Sequence, residues 1–192
     1  LDHEVIDLGH QPPSNAYLTP EQLAQPELTY PLRLLVCTQC WLVQLPAHAS
    51  ADALFTPDYA YFSSTSSSWC AHAERFVEEA VERLELGSHS HVVELASNDG
   101  YLLQFVQQRR IPCLGIEPTR ATAEAARKKG IPTVERFFGF ELADTLEPAD
   151  LVVANNVLAH VPDINDFLAG IARLLKPSGL ASIECPHLLK LL

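Results

Sequence analysis

Two stretches carry residue types at spacings that can do chemistry. The first is Cys37-Thr-Gln-Cys40, flanked by the apolar runs Leu34-Leu35-Val36 and Leu42-Val43-Gln44-Leu45. Those flanks predict a hairpin-like turn presenting two thiols. A C-x-x-C on such a knuckle is half of a tetrahedral zinc site, because Cys37 and Cys40 can grip one metal from one side. The plainer alternative is two free or buried cysteines in a turn. No second C-x-x-C occurs, and no βαβ pattern surrounds this one, which disfavours redox chemistry. The second stretch is 91–104, where Val92-Val93 and Leu95-Ala96 run into the polar turn Ser97-Asn98-Asp99-Gly100 and then into a helical pattern starting at Tyr101. Strand, tight turn and helix in that order place backbone N–H groups and a helix N-terminus at the carboxyl end of a strand, where open parallel sheets bind small ligands.

These residues must be positioned by the elements around them. Residues 1–58 hold Pro12-Pro13, Pro20, Pro26, Pro31, Pro46 and Pro57 with little helical periodicity, predicting a small loop-rich unit that carries the cysteine knuckle. Residues 59–69 are serine-rich yet include Tyr59, Tyr61, Phe62 and Trp69. A solvated linker rarely needs four aromatics, so a loop packed over a pocket is expected, within a connecting region 59–88. An amphipathic helix follows, with Trp69, Ala73, Phe76, Val77, Ala80 and Leu84 on one face, Ser67 or Ser68 as its cap and Gly87 at its end.

From residue 89 strands and helices alternate. Strands are expected at 91–96, 113–117, 132–135, 150–154 and 180–184, and helices at 100–109, 119–129, near 139–146 and at 163–175, where Asp163 caps and Lys176-Pro-Ser-Gly179 stops the helix. This is an α/β fold: a doubly wound, Rossmann-like sheet, incomplete after its fifth strand and preceded by the loop-rich unit.

Composition limits the partners. The 192 residues suffice for one good core with a small appendage, and 47% hydrophobic with 19% charged residues is the balance of a soluble globular chain. A formal net charge of −11 opposes nucleic acid and anionic membrane surfaces, so neither is an expected partner. Five cysteines, an odd number, do not suggest a disulfide framework, and the start resembles no signal peptide, so a cytoplasmic protein in a reducing compartment is expected. There is no methionine, so a fragment or processed chain is expected.

The ligand can be narrowed by what is absent and what is present. The dinucleotide fingerprint G-x-G-x-x-G is missing, with Gly100 the one glycine of the first turn, so a pyrophosphate lacks its cradle. Yet Glu117 closes the second strand 23 positions after Glu94, about where an acidic residue takes a ribose hydroxyl pair. A nucleoside without a pyrophosphate satisfies both, pointing to S-adenosylmethionine. An acidic residue ending a strand is also often simply solvated.

Several motifs in order carry a resemblance: Glu94-Leu-Ala-Ser-Asn-Asp-Gly-Tyr-Leu-Leu-Gln104, Leu114-Gly-Ile-Glu-Pro118, Phe137-Phe-Gly139, Asn155-Asn-Val-Leu-Ala-His-Val-Pro-Asp163 and Glu184-Cys-Pro-His-Leu-Leu189. Together they resemble the class I methyltransferases that C-methylate nucleotide-linked deoxysugars. Tyr59-Ala-Tyr-Phe-Ser-Ser64 and the Cys37/Cys40 knuckle are similar to that family's amino-terminal zinc-binding region. The resemblance covers essentially the whole chain. It implies a structural zinc, a truncation at both ends, and cofactor contacts from Phe62, Ser63, Glu94, Ala96, Ser97, Asn98, Gly100, Tyr101, Glu117, Pro118, Phe138, Asn155, Asn156 and Val157. Ala121 departs from the pattern, since relatives often carry Asn there.

The implied reaction methylates C3 of a 4-keto sugar: a base removes the C3 proton and the enolate attacks the sulfonium methyl in line. The family's base comes from a Tyr-His-Glu-His segment, expected beyond residue 192. Locally, His160 and His187 follow the fourth and fifth strands and are expected to orient substrate or share proton transfer, although a His at a strand end is often only a loop residue. Tyr59 and Tyr61 are candidates for bonding the enolate oxygen, with core packing as the alternative. The expected partner is a nucleotide-linked ketosugar, bound by a monomer. A catalytically incompetent module binding zinc and S-adenosylmethionine is the alternative, and a dinucleotide-dependent sugar oxidoreductase is disfavoured by the missing glycines.

Overall fold

A computed structural model describes residues 3–57 and 59–191. The chain divides into two compact units between Thr56 and Pro57. The boundary expected at residue 58 lies outside the described residues.

The first unit is a three-stranded antiparallel sheet of β1 (His3–Gln11), β2 (Tyr30–Val36) and β3 (Val43–Gln44), ordered β1-β2-β3, with a short helix α1 (Ala51–Leu54) after it. The nine-residue β1 is a strand that the sequence of this loop-rich unit does not announce. Its residues are exposed apart from a half-buried Ile6, so no apolar alternation announces it; backbone pairing with β2 makes the strand. The pairing slips between Asp7 and His10, where Gly9 sits at φ 73°.

The second unit opens with α2 (Ser67–Leu84) and then alternates: β4 (Val92–Leu95), α3 (Leu103–Gln108), β5 (Cys113–Ile116), α4 (Arg120–Lys128), β6 (Thr133–Val134), α5 (Phe140–Ala143), β7 (Ala149–Asn155), α6 (Ile164–Leu174), β8 (Leu175–Glu184) and α7 (Leu188–Leu191). The five strands pair in parallel in the order β6-β5-β4-β7-β8. The chain steps outward from β4 through β5 to β6, then returns to the other side of β4 as β7. That reversal puts a ligand crevice at the carboxyl ends of β4 and β7.

Two apolar layers hold the sheet. Val92, Leu151 and Val153 pack with Ala73, Val77, Leu102, Leu103 and Val106 from α2 and α3. On the opposite face Val93, Leu95, Val152 and Ala154 pack with Leu142, Phe167, Ile171 and Leu174 from α5 and α6. Strand side chains alternate between the faces, which is why neighbours on β4 serve different layers. Burying a leucine such as Leu95, Leu102 or Leu103 contributes about 1.5–3 kcal/mol each.

Three boundaries differ from expectation. Ser66, rather than Ser67 or Ser68, caps α2: it is extended, and its Oγ accepts the Trp69 N–H at 3.3 Å, while the next two serines are already helical. The helix ends not at Gly87 but at Glu85, left-handed at φ 51°, letting Leu86 fold back into the core. Residues 176–179 do not separate helix from strand. Leu175 leaves α6 already extended and pairs with Ala149; Lys176 Nζ anchors the segment on Asp150 at 2.6 Å, and a Cβ on Gly179 would stand 2.7 Å from the Ala149 carbonyl oxygen. Among the described residues no helix is long and apolar enough to cross a membrane.

Candidate functional site

At the carboxyl end of β4 the chain turns sharply. Ala96, Asn98 and Gly100 all have positive φ, at 55°, 49° and 74°. Glycine is required at the third: a Cβ on Gly100 would overlap the end of Ile131. Regular helix begins only at Leu103, and α3 has six residues, so the expected helix N-terminus at residue 100 is replaced by turn backbone as the ligand-facing element.

Glu117 ties this turn to the end of β5. One carboxylate oxygen accepts the Asn98 N–H at 2.9 Å; the other accepts the Thr119 N–H at 2.9 Å and the Thr119 hydroxyl. Bonds to a carboxylate are among the stronger ones, about 1.5–3 kcal/mol each. Gly115 lets the two turns close, since a Cβ there would overlap Ser97 Oγ. Sequence reasoning missed Gly115 and Thr119, yet a glycine inside a predicted strand is itself a signal of close approach.

The serine-rich segment lies on the same turn. The Ser63 N–H donates to Asn98 Oδ1 at 2.8 Å, and Asn98 Nδ2 returns to the Tyr61 carbonyl at 3.0 Å. The Ser64 N–H donates to Asp99 Oδ1 at 3.2 Å, the Ser64 hydroxyl bonds the other oxygen, and Lys129 Nζ bonds Asp99 from α4. Residues 61–64 are therefore fastened along the ligand edge, with Ser63 buried, Tyr59 and Phe62 half-buried and the Tyr61 side chain exposed.

A third group links α2, the turn after β4, β7 and β8. Asn155 Nδ2 donates to the Tyr101 hydroxyl at 3.3 Å; Tyr101 stacks on Trp69 at 5.9 Å, and Trp69 on His72 at 5.0 Å. His72 Nε2 meets Glu184 at 3.0 Å, and Glu184 holds Asn156 through its backbone carbonyl at 2.7 Å and its side chain at 3.3 Å. Burial, then the charge of Glu94, pushes the Tyr101 hydroxyl well above its ordinary value, so it stays protonated. Glu184 opens one of the sequence motifs without a role assigned to it there, and His72 lies in no motif; a contact across 112 residues is visible only in three dimensions.

Glu94 lies in the middle of this arrangement with 1% exposure. Neither of its carboxyl oxygens, nor Ser97 Oγ, has a partner of hydrogen-bonding geometry, although the Tyr101 hydroxyl is near enough to influence Glu94. Burial raises its carboxyl well above the usual range; Tyr101 opposes this, and Glu117 and Asp99 add to it.

The other expected site residues are more scattered. Pro118 is half-buried beside Glu117. Phe138 packs edge-on against Phe167 at 5.4 Å, and Val157 packs against the same core layer. His160 ends a single turn, Leu158–His160; its surface is exposed, yet desolvation pushes its imidazole below the ordinary value. His187 is exposed after β8. A small depression lined only by apolar side chains, including Phe76, Leu102 and Val106, lies against the sheet away from these groups and carries no chemistry.

In the first unit, Cys37 and Cys40 occupy the turn between β2 and β3, closed by the Cys37 N–H to the Leu42 carbonyl at 3.1 Å. The Cys40 backbone N–H, then that of Gln39 and the Cys40 thiol, hold the Cys37 thiol below its ordinary value. Donors aimed at a sulfur favour a thiolate, the form that ligates metal. The pair fits half of a zinc site; among the described residues no group of three or more His, Cys, Asp and Glu gathers.

Comparison with known proteins gives a matching model, described as "Methyltransferase domain", over residues 69–189. The chain belongs to the methyltransferase family. A second model, described as "Putative zinc binding domain", matches residues 1–55. The C-methyltransferase NovU of Streptomyces niveus is 35% identical over 98% of this chain and 46% of its own length. A ubiquinone biosynthesis O-methyltransferase of Rhodopseudomonas palustris is 28% identical over 55% of this chain and 44% of its own. The chain thus spans about half the length of the curated relatives it matches. The solved structure of Streptomyces venezuelae DesVI shares the fold at TM-score 0.53 and 16% identity, over 64% of this chain and 53% of that one. The architecture is that of S-adenosylmethionine-binding methyltransferases. The residues at the crevice fit that cofactor: a left-handed turn too tight for a Cβ at Gly100, an acidic strand end at Glu117, and orphaned polar atoms on Glu94 and Ser97.

Proposed function

We propose that this chain is the methyl-donor-binding part of an S-adenosylmethionine-dependent C-methyltransferase acting at C3 of a nucleotide-linked 4-keto-deoxysugar, in deoxysugar, antibiotic or surface-glycan biosynthesis. The observation that carries the reading is the 35% identity with a C-methyltransferase across 98% of the chain, which includes both units. S-adenosylmethionine, when bound, supplies an electrophilic methyl group.

The chain's own residues then have separable tasks. Ala96, Ser97, Asn98 and Gly100 shape the turn against the cofactor's amino-acid end, with Glu94 and Tyr101 beneath it. Glu117 offers its carboxylate to the ribose, having one acceptor position left on the oxygen that holds Asn98. Phe62, Ser63, Pro118, Phe138, Asn155, Asn156 and Val157 complete the walls. Desolvation keeps His160 neutral near pH 7, suited to accept a proton; His187 stands after the neighbouring strand. Tyr59 and Tyr61 are the candidates to bond a developing enolate oxygen, a reading supported for Tyr61 by its backbone carbonyl being held by Asn98. Cys37 and Cys40 would hold zinc in a purely structural role. We further propose a monomeric cytoplasmic protein without nucleic-acid or membrane partners.

The test is methyl transfer from S-adenosylmethionine to a nucleotide-linked 4-keto-deoxysugar, followed by mass spectrometry of the sugar. A product methylated on carbon supports the reading, and loss of turnover in His160→Ala with retained cofactor binding would assign that residue. Because the chain spans only 46% of NovU, a binding module is the second reading, supported by tight cofactor binding without turnover. Calorimetry showing NAD bound and S-adenosylmethionine ignored would sink both.

A further inference from the structure

Glu94 is an anomaly within a strand whose four residues are all buried. Parallel strands covered on both faces are normally apolar throughout, and a buried acid normally has partners. Here both carboxyl oxygens lack one, as does the neighbouring Ser97 hydroxyl. A charged carboxylate in that position would be costly, and among the described residues no cation acts on it to offset that cost. Tyr101, from the turn before α3, is a hydroxyl that stays protonated. Asp99 in the turn and Glu117 at the end of β5 are both acidic. Cys113 on β5 is a thiol pushed up to about 11 by burial and by Glu94 itself. Lys129 from α4 is engaged by Asp99, and His72 from α2 by Glu184. β7 contributes Asn155, which is neutral.

We propose that Glu94 is a proton-linked anchor: it carries a proton in the free protein and releases it when the α-ammonium of the bound amino-acid end arrives and supplies the missing positive partner. This rests on the S-adenosylmethionine reading above. The step balances simply, with the Glu94 O–H proton passing to solvent, the carboxylate remaining, and the ligand's ammonium unchanged. Two acidic groups, Asp99 and Glu117, around one orphaned carboxyl disfavour ionisation until a cation enters, and favour that cation once it does. Burial in the free state supports the same direction. Cofactor affinity is therefore linked to pH, rising as the solution takes the proton more readily, as long as the ligand's α-amino group, with an ordinary value of about 7.7–8.0, stays charged.

Isothermal calorimetry with S-adenosylmethionine at one pH between 6 and 7, in buffers of different ionisation enthalpy, counts the protons released. About one proton should leave per cofactor bound, and the same with S-adenosylhomocysteine, which keeps the ammonium and lacks the sulfonium. Glu94→Gln, which mimics the neutral acid in shape, should fold, bind at least tenfold more weakly and release none. Binding without proton release, equal release by Glu94→Gln, or release with S-adenosylmethionine alone would overturn the proposal while leaving the methyltransferase reading intact. Should the cofactor not bind at all, that reading fails first, and infrared spectroscopy still decides the free state: a neutral-carboxyl band present in the wild type and lost in Glu94→Gln supports a protonated Glu94, and its absence refutes it.

Discussion

The two units of this chain reach their structures by different means. None of the described residues of the first unit is buried, and Tyr17, Leu23 and Trp41 are 78%, 72% and 72% exposed. Its sheet is held by backbone pairing and by the turn that carries Cys37 and Cys40. The second unit buries β4 completely between two apolar layers and fastens its ligand turn through two carboxylates, Glu117 and Asp99. A unit of under about 60 residues without a core needs a cross-link or a partner to be stable, whereas a unit with a covered sheet does not. The first unit thus relies on backbone pairing where apolar area is short, and the second relies on two covered faces where it is ample.

The largest expected asymmetry concerns metal. Chelation of a zinc-loaded preparation, or Cys37→Ser, should abolish slow amide exchange in β2 and β3 while leaving that of β4 and β7 unchanged; equal loss in both units would erase the contrast. Core truncation should act in the opposite sense. Leu103→Ala should cost about 2–5 kcal/mol in urea unfolding, against within about 0.5 kcal/mol for Leu23→Ala at the exposed surface of the first unit.

A third measurement uses pH. Burial raises the folded-state value of Glu94 above its unfolded value of about 4.3, so its contribution to stability is complete below that value and is lost as pH rises toward the folded one. Glu94→Gln should match the wild type in stability near pH 4 and exceed it progressively toward neutrality; a constant difference would contradict a protonated Glu94. The smallest effects separate two glycines. Gly115→Ala should lose about 1–3 kcal/mol and weaken cofactor binding, because the new methyl meets Ser97. Gly9→Ala has nothing within 4 Å of its Cβ and should show only the backbone penalty at φ 73°, about 1 kcal/mol.

Much of the second unit was legible along the chain. Val92-Val93, Cys113–Ile116 and Leu151–Ala154 announce buried parallel strands because they are short apolar runs, rich in β-branched residues and alternating with helical patterns. Asp163 announced its helix because an N-cap is a local interaction, here bonding the N–H groups of Asn165 and Asp166 at 3.0 Å. What was not legible depended on neighbours remote in sequence. β1 has no apolar pattern, since pairing rather than burial makes it a strand; β8 starts at Leu175 because Ala149 is there to pair with it.

The turn, its left-handed glycine and the acidic residue after the second strand were determined by the sequence itself, because they are set by local backbone geometry and by short spacings. Tertiary structure alone decided what those residues touch: that Glu117 is engaged by Asn98 and Thr119, that residues 61–64 lie on Asn98 and Asp99, that His72 reaches Glu184, and that Glu94 is left without a partner. A residue's type specifies which bonds it can make; only packing determines which partners are present and how far water is excluded, and those two quantities govern whether a carboxyl is charged or neutral.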